Sequence, residues 1–312
     1  MIRTFAKWQW RRWAVHGRAG SGKLDGGKMP ALVLGGIRCR VHLLFWLVLF
    51  GSVATGRFLE MMTLFGIVII HEWGHVSMAR SFGWQVREVE LLPFGGVARF
   101  DHVTESWRQE MCVILAGPLT NVAMIPFSYG LGLIGWWPPV WVEYFIVANS
   151  LIAGFNLLPF PPLDGGRLLQ LLTARFVPYV QTLRQGVLAG VLGAFCLGGF
   201  ALSGIWAGTV HLNLLLIAVF LVFHNVSEWR LIPYHFVRFL LRRHRHPETA
   251  RRFRPLLLPL IMQWTLRRAL ERMRRERYHL FVDERGRIVR EEELLNHYFA
   301  GQGSRRLRDL LL

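Results

Sequence analysis

His71, Glu72 and His75 form an HExxH motif directly after an apolar run at residues 61–70. On a helix, residues four positions apart lie on one face, about 6 Å apart along the axis, so both imidazoles can reach one tetrahedral Zn2+. Glu72 would then lie beside the metal, where it can take a proton from the attacking water and return it to a leaving amine. A charge at mid-membrane costs about 2.5 to 3.5 kcal/mol, so ionisable residues there need a functional reason. The motif predicts peptide hydrolysis at a membrane-embedded zinc ion.

A third metal ligand is expected in the sequence NLLPFPPLDGGR at residues 156–167. Catalytic zinc usually has three protein ligands, which leaves the fourth position to water. Here prolines break an apolar helix and a single carboxylate, Asp164, precedes two glycines. Such irregular backbone survives at membrane depth only inside protein or beside a wet cavity. Asp164 is therefore the predicted ligand, ahead of carboxylates in a more polar loop, namely Glu88, Glu90, Asp101 and Glu105.

Two asparagines accompany these motifs. Asn156, about one turn before the proline break, is a candidate donor to the substrate carbonyl or to the oxyanion formed on attack. Asn121 follows Ala116-Gly117-Pro118, in which small residues favour close helix packing and Pro118 opens backbone hydrogen bonds. Close helix packing is the favoured interpretation, and Asn121 is a neighbour that could satisfy one of the opened backbone groups.

The composition indicates a polytopic membrane protein. The chain has 312 residues, 53% of them hydrophobic, and a mean hydropathy of +0.31. Its apolar segments are long enough to cross about 30 Å of hydrocarbon. Six spans are predicted, at residues 41–56, 58–79, 111–135, 140–158, 186–204 and 207–226.

Arginines predict the orientation and the partners. They are concentrated between spans two and three and between spans four and five, whereas the alternate loops hold only Arg57. Under the positive-inside rule both termini are cytoplasmic, and the HExxH motif lies near the cytoplasmic side. The net charge of +17 arises largely from the two tails and is explained by this topology and by anionic lipid. Membrane lipid is a predicted partner, and direct nucleic-acid binding is not, because no binding module is recognisable.

The loop between spans two and three has the pattern of a β-hairpin. Residues 88–91 alternate polar and apolar types, PFGG at 93–96 supplies a turn, and residues 97–103 can return as a second strand. A helical substrate hides its peptide bonds, so a protease must hold it extended, and an exposed strand edge can do this by β-augmentation. A hairpin that only plugs the cavity is the equal alternative.

The C-terminal part beyond Pro233 has a different pattern. An amphipathic, Arg-rich helix is predicted at residues 255–277, strands at 278–282 and 287–289, and a helix at 291–299. This order resembles a CBS-type nucleotide-sensing module, with ATP as a candidate ligand. The segment is long enough for one copy, which implies pairing in a homo-oligomer. A plain cytoplasmic cap that docks the substrate is the alternative.

The predicted organisation has three parts. Residues 1–30 form a basic cytoplasmic N-terminal extension, residues 31–228 form a six-span intramembrane metalloprotease domain, and residues 229–312 form a linker and a CBS-like cytoplasmic regulatory domain. The predicted fold class is an α-helical polytopic membrane protein with a small cytoplasmic α/β domain at its C-terminus.

Three motifs together resemble the site-2 protease family of intramembrane metalloproteases. They are HEWGH at residues 71–75, AGPLTN at 116–121 and NLLPFPPLDGG at 156–166. The resemblance implies that His71, His75 and Asp164 bind one zinc ion, that Glu72 is the catalytic base, and that the core has six transmembrane segments.

A branch of that family, the stage IV sporulation proteases of the FB type, is similar over more of the chain. The similarity includes LLPFGG at residues 91–96 and the C-terminal sequence NHYFAGQGSRRLRDLLL. It implies that the substrate is the membrane-associated pro-sequence of a sporulation sigma factor, that membrane proteins inhibit the enzyme, and that it lies in the mother-cell membrane around the forespore.

Two other functions remain open from the sequence. A site-2 protease could instead act on anti-sigma factors or signal-peptide remnants. A non-proteolytic membrane metal-binding protein could use the same ligands, but it would have no need of an uncoordinated base such as Glu72.

Overall fold

The computed structural model describes residues 32–34, 37–41, 50, 52–53, 56–92, 95–100, 106–207 and 211–311, with backbone alone at 32–41, 87–100 and 311. The predicted N-terminal extension and most of the first predicted span lie outside the described residues. The chain divides into two compact units, one comprising Met1–Met62 and Gln85–Asp101, the other Thr63–Trp84 and His102–Leu312.

The first unit contains a four-stranded sheet. Its strands, in spatial order, are β1 (Leu32–Leu34), β2 (Ile37–Val41), β3 (Val86–Leu92) and β4 (Gly95–Phe100). β1 pairs antiparallel with β2, β2 parallel with β3, and β3 antiparallel with β4. The β3–β4 pair confirms the predicted hairpin. The two preceding strands were not predicted, and β2 ends at the residue where the first span was expected to begin.

Six helices follow. They are α1 (Phe58–Ser81), α2 (Trp107–Leu133), α3 (Pro139–Asn156), α4 (Asp164–Thr173), α5 (Tyr179–Ser203) and α6 (Leu212–Arg245). Five of them coincide with predicted spans two to six, and α4 was not predicted. Prolines precede or open α3 and α5, as expected where a first-turn N–H has no partner to lose. Among the described residues α2, α5 and α6 are long and apolar enough to cross a membrane. The full set of six spans stays a prediction.

The helices pack in two groups. α1, α2 and α3 share a small apolar cluster around Ile67, Met124 and Ala148. α5 and α6 approach closely at a glycine of α5, since a Cβ on Gly190 would overlap the side-chain amide of Asn225. α4 follows α3 after a short irregular turn that contains a cis peptide bond between Pro161 and Pro162.

The C-terminal part is a small α/β arrangement. After α7 (Pro247–Arg251) come β5 (Pro255–Pro259), α8 (Leu266–Leu270), β6 (Tyr278–Val282), β7 (Ile288–Arg290), α9 (Glu291–His297), a π-helical turn (Tyr298–Gln302) and α10 (Arg308–Leu311). β5 pairs parallel with β6, and β6 pairs antiparallel with β7. β6, β7 and α9 confirm the predicted strands and helix.

The predicted helix at residues 255–277 is wrong over most of its length. Its first residues form β5, and only α8 is helical within the remainder. Pro259 accounts for part of the difference, because a proline in the interior of a helix removes a hydrogen bond and clashes with the preceding turn, whereas Pro255 at the first position would be tolerated.

The C-terminal strands and helices share one hydrophobic cluster with α5 and α6. Val187 of α5 and Leu240 of α6 are buried in it together with Leu266, Phe281 and Leu294. The domain boundary between residues 228 and 229 stays a prediction, and the buried cluster contains residues from both sides of it.

Candidate active site

The predicted metal ligands His71, His75 and Asp164 lie together in a buried group. Their potential ligand atoms are all within 4.8 Å of one another. Asp164 Oδ2 lies 3.2 Å from the Nε2 atoms of both histidines, and those two Nε2 atoms are also 3.2 Å apart. The two imidazole rings meet edge to face at an interplanar angle of 84°. Residues 93 positions apart therefore converge on one point.

This arrangement fits a zinc ion. Donor atoms about 2.0 to 2.1 Å from one tetrahedral Zn2+ lie about 3.3 Å apart, close to the three distances observed. Two imidazole nitrogens and one carboxylate oxygen are also a donor set typical of catalytic zinc, with the fourth position left to water or substrate. Among the side chains that the structure describes, no other group of this kind is present.

Hydrogen bonds at Nδ1 orient both imidazoles. His75 Nδ1 donates to the backbone carbonyl of Val113 over 2.7 Å, and His71 Nδ1 donates to Asn121 Oδ1 over 2.7 Å. A neutral imidazole that donates from Nδ1 keeps its lone pair on Nε2, which is the atom that faces the other ligands. The ligand set is therefore oriented for a metal by its surroundings.

Asn121 has a different role from the one expected. Its side-chain oxygen accepts from His71, and its amide nitrogen has no hydrogen-bond partner among the described atoms. The reason is the helical repeat of α2: Val113, Gly117 and Asn121 are four residues apart and share the face that meets the histidines. The prediction that Asn121 satisfies backbone groups opened by Pro118 is wrong.

Two glycines allow α1 and α2 to cross at this face. A Cβ on Gly117 would overlap the His75 ring and would lie 2.8 Å from His71 Nε2. A Cβ on Gly74, within the HExxH motif, would overlap Thr120 Oγ1 and would lie 2.8 Å from the carbonyl oxygen of Ala116. The small residues expected to promote helix packing therefore also make room for the imidazoles.

Asp164 is the first residue of α4. The turn that leads into it packs tightly, since a Cβ on Gly165 would overlap the carbonyl of Leu157 and one on Gly166 would overlap the backbone of Phe160. The sequence DGG thus folds α4 back against its own entry segment. The partial positive charge at a helix N-terminus also favours a carboxylate at this position.

The other two predicted site residues lie on α1 and at the end of α3. Glu72 is buried on α1, next in sequence to His71. Asn156 is the last residue of α3, and its Nδ2 donates to the Ile152 carbonyl of the same helix over 3.0 Å. The roles of Glu72 as base and of Asn156 as oxyanion donor stay predictions.

Comparisons with known proteins bear on this site. Residues 60–137 match the sequence profile of peptidase family M50. Stage IV sporulation protein FB of Bacillus subtilis is 33% identical over 212 residues, which cover 67% of this chain and 72% of that protein. The chain belongs to the M50, or site-2 protease, family.

Proteases of Methanocaldococcus jannaschii are also similar. A zinc metalloprotease of Methanocaldococcus jannaschii is 28% identical over 206 residues, which are 64% of this chain and 55% of that protein. The solved structure of a site-2 protease from the same organism has a TM-score of 0.51 and 26% identity, covering 62% of this chain and 92% of its own. The protein is a metalloendopeptidase of the M50 family, and its three long apolar helices indicate an integral membrane protein.

Sequence reasoning missed the residues that orient the M50 ligand set. Val113 contributes a backbone carbonyl, which no side-chain type reveals. For Asn121 the available signal was its spacing of four from Gly117, on the same face of a helix that was already predicted.

Proposed function

We propose that this protease hydrolyses a peptide bond of a membrane-associated protein near the cytoplasmic face, with His71, His75 and Asp164 as zinc ligands and Glu72 as the base. One observation carries the proposal: two imidazoles and a carboxylate lie 3.2 Å from one another in a buried group, with both Nε2 lone pairs directed inward.

The chain's own residues supply orientation and proton transfer. Bound zinc would polarise the scissile carbonyl and lower the pKa of the attacking water. Glu72 accepts a proton from that water and later protonates the leaving amine. Val113 and Asn121 hold the imidazoles throughout. Asn156, released from its intrahelical bond, would donate to the oxyanion.

The proposed substrate is the pro-sequence of a sporulation sigma factor. Support comes from the relative named Stage IV sporulation protein FB, which is similar over most of both chains. On this reading the protease lies in the mother-cell membrane around the forespore, where membrane-protein inhibitors would control it. Cleavage of anti-sigma factors or signal-peptide remnants is the second candidate, since other similar proteins are named only as zinc metalloproteases, without a sporulation role.

The proposed topology has six spans with both termini cytoplasmic. The proposed C-terminal module is CBS-like, because β5, α8, β6, β7 and α9 follow one another as strand, helix, two strands and helix. Pairing of two such modules in a homo-oligomer would form a site for ATP. Cleavage by the intact enzyme would then change when ATP is added, and equal rates with and without ATP would refute this part.

The test of the chemistry is Glu72→Gln. We expect unchanged zinc content, because Glu72 is not a ligand, and a loss of cleavage by about 100- to 10,000-fold, the usual contribution of a general base. Asp164→Ala should lose zinc as well as activity, whereas Glu60→Gln, a glutamate of the same helix as Glu72, should change neither.

The measurements are metal analysis of the purified protein and cleavage of a co-expressed pro-sequence, with the cut mapped by mass spectrometry. Undiminished proteolysis by Glu72→Gln would contradict the mechanism. Full zinc in Asp164→Ala, with loss of zinc in Glu88→Ala or Asp101→Ala, would show that the third ligand is one of the loop carboxylates.

A further inference from the structure

A buried asparagine of α6 contacts the turn that carries Asp164. Asn225 has no exposed surface, and its Nδ2 donates to the Pro161 carbonyl over 2.8 Å and to the Leu221 carbonyl over 2.9 Å. The Leu221 contact lies within α6. The Pro161 contact joins α6 to a segment 64 positions earlier in the chain.

That turn depends on contacts from outside itself. Pro161 and Pro162 have no N–H to donate, so the backbone here forms few bonds of its own. One of them runs from the Leu163 N–H to the Phe160 carbonyl over 3.2 Å. The Pro161 carbonyl is buried at the helix interface and would be costly to leave without a donor. Asn225 supplies that donor.

α5 leaves space on both sides of the same contact. A Cβ on Gly190 would overlap the Asn225 amide, and a Cβ on Gly193 would lie 2.7 Å from the Phe160 ring. The turn is therefore enclosed by α5 and α6 at Phe160 and Pro161. Only Pro162 and Leu163 separate this enclosed point from Asp164.

We propose that Asn225 is a positioning residue for the metal site, which holds the Pro161 carbonyl and thereby keeps the Asp164 carboxylate within reach of both histidines. The proposal rests on the proposed role of Asp164 as a zinc ligand. Ligand geometry tolerates a displacement of only about 0.5 Å, and outer groups that orient ligands typically contribute about 10- to 100-fold in metal affinity. Asn225 is a buried amide, and the carbonyl to which it donates lies three positions before the ligand Asp164. It is therefore placed to orient that ligand.

The chain provides a matched control in Asn149 of α3. It also has no exposed surface, its Nδ2 also donates to a carbonyl one turn earlier, that of Phe145 at 2.8 Å, and its Oδ1 also has no hydrogen-bond partner among the described atoms. The two asparagines therefore differ in one respect that matters here, the contact of Asn225 with Pro161. The Asn149 variants show the general effect of losing a buried asparagine, and any further effect in the Asn225 variants is due to the lost Pro161 contact.

The experiment uses the full-length protein in detergent, with Asn225→Ala, Asn225→Leu, Asn149→Ala, Asn149→Leu and Asp164→Ala. Zinc affinity is measured by competition with a chelator, and ligand geometry by the visible spectrum of the Co2+-substituted protein. Thermal unfolding of the metal-free protein separates metal binding from general stability. The alanine variants avoid overpacking if the leucine variants do not fold.

We expect both Asn225 variants to bind zinc about 10- to 100-fold more weakly and to change the Co2+ spectrum. Both Asn149 variants should keep the zinc affinity and spectrum of the unsubstituted protein. Equal zinc affinity in all four asparagine variants, with zinc lost in Asp164→Ala, would overturn the proposal, and so would equal losses at both asparagines. Zinc retained in Asp164→Ala would instead refute the proposed ligand set.

Discussion

At the residue scale, the two histidines of the site are oriented by different kinds of group. His75 donates to a backbone carbonyl, which substitution cannot remove, whereas His71 donates to the side chain of Asn121. The His71 side of the site is therefore the one that a single substitution can test without touching a ligand.

Asn121→Ala should weaken zinc binding by about 10- to 100-fold, because His71 loses the acceptor that fixes its tautomer and ring orientation. Chelator competition on the purified protein measures this. Ser128→Ala is the matched control: it is a buried polar residue of the same helix, whose hydroxyl donates to the Ile125 carbonyl. An Asn121→Ala protein with unchanged zinc affinity would show that the hydrogen bond does not orient the ligand.

The residues recovered from sequence are those whose signal is local. The HExxH spacing places His71 and His75 on one helix face, and a lone carboxylate after a proline break makes Asp164 the candidate third ligand. The contacts of Asn121 and Asn225 could not be predicted in this way, because each depends on how two helices meet. The positions of residues along the chain do not reveal whether two segments are in contact in space when 50 or 64 residues separate them.

At the element scale, one face of α2 contacts both histidines of the site. Three residues spaced four apart share this face of α2, namely Val113, Gly117 and Asn121. Val113 contributes a backbone carbonyl, Gly117 leaves space for the imidazoles, and Asn121 contributes a side-chain amide. Any side chain larger than hydrogen at Gly117 would fill the space that the imidazoles occupy.

Gly117→Ala should displace the imidazoles, because the added methyl group would overlap His75 and press on His71. Overpacking of this kind costs about 1 to 3 kcal/mol, equivalent to roughly a 5- to 150-fold loss of zinc affinity. Gly130→Ala on the same helix has no atom within 4 Å of the added Cβ and should bind zinc normally. Chelator competition measures the zinc affinity of both variants. Equal affinities would show that α1 and α2 can separate to admit the methyl group.

Helix positions were predictable where an apolar run was long, and the hairpin was predictable from its alternation and turn. The strand β5 was not predictable in this way, because the leucines between Pro255 and Pro259 directly precede an arginine-rich sequence with a helical pattern. What decides their state is the pairing of β5 with β6, a contact between separate segments.

At the scale of the whole molecule, the C-terminal part is joined to α6 by buried charges. Arg243 donates through Nη1 to both carboxylate oxygens of Glu291 at 2.9 Å, and Glu291 also accepts from His279 Nδ1 at 2.8 Å. Burial lowers the pKa of His279, and the nearby Arg243 and Arg274 lower it further against the opposing effect of Glu291. His279 therefore stays neutral, which agrees with its Nε2 accepting from the Arg274 N–H at 3.0 Å.

The segment from Met273 to Arg275 is where three helices meet the C-terminal part. The Met273 carbonyl accepts from the Tyr179 N–H of α5, and Arg243 of α6 donates to the carbonyls of Arg274 and Arg275. Arg275 in turn forms two hydrogen bonds to Glu110 in the first turn of α2, at 3.2 and 2.6 Å. Because α2 also holds the histidines, this ion pair connects the C-terminal part to the helix that supports the site.

Breaking the ion pair between Glu110 and Arg275 should slow cleavage of a full-length membrane substrate while leaving zinc bound. Glu110→Arg or Arg275→Glu alone should lower the rate by roughly 2- to 5-fold, since a partly exposed pair contributes up to about 1 kcal/mol. The double exchange Glu110→Arg with Arg275→Glu should recover most of the rate, because it restores opposite charges at the same place. The exposed pair Arg267 and Glu271, exchanged in the same way, is the control. Rates and zinc contents that are the same in all of these variants would show that the ion pair between Glu110 and Arg275 does not contribute to cleavage.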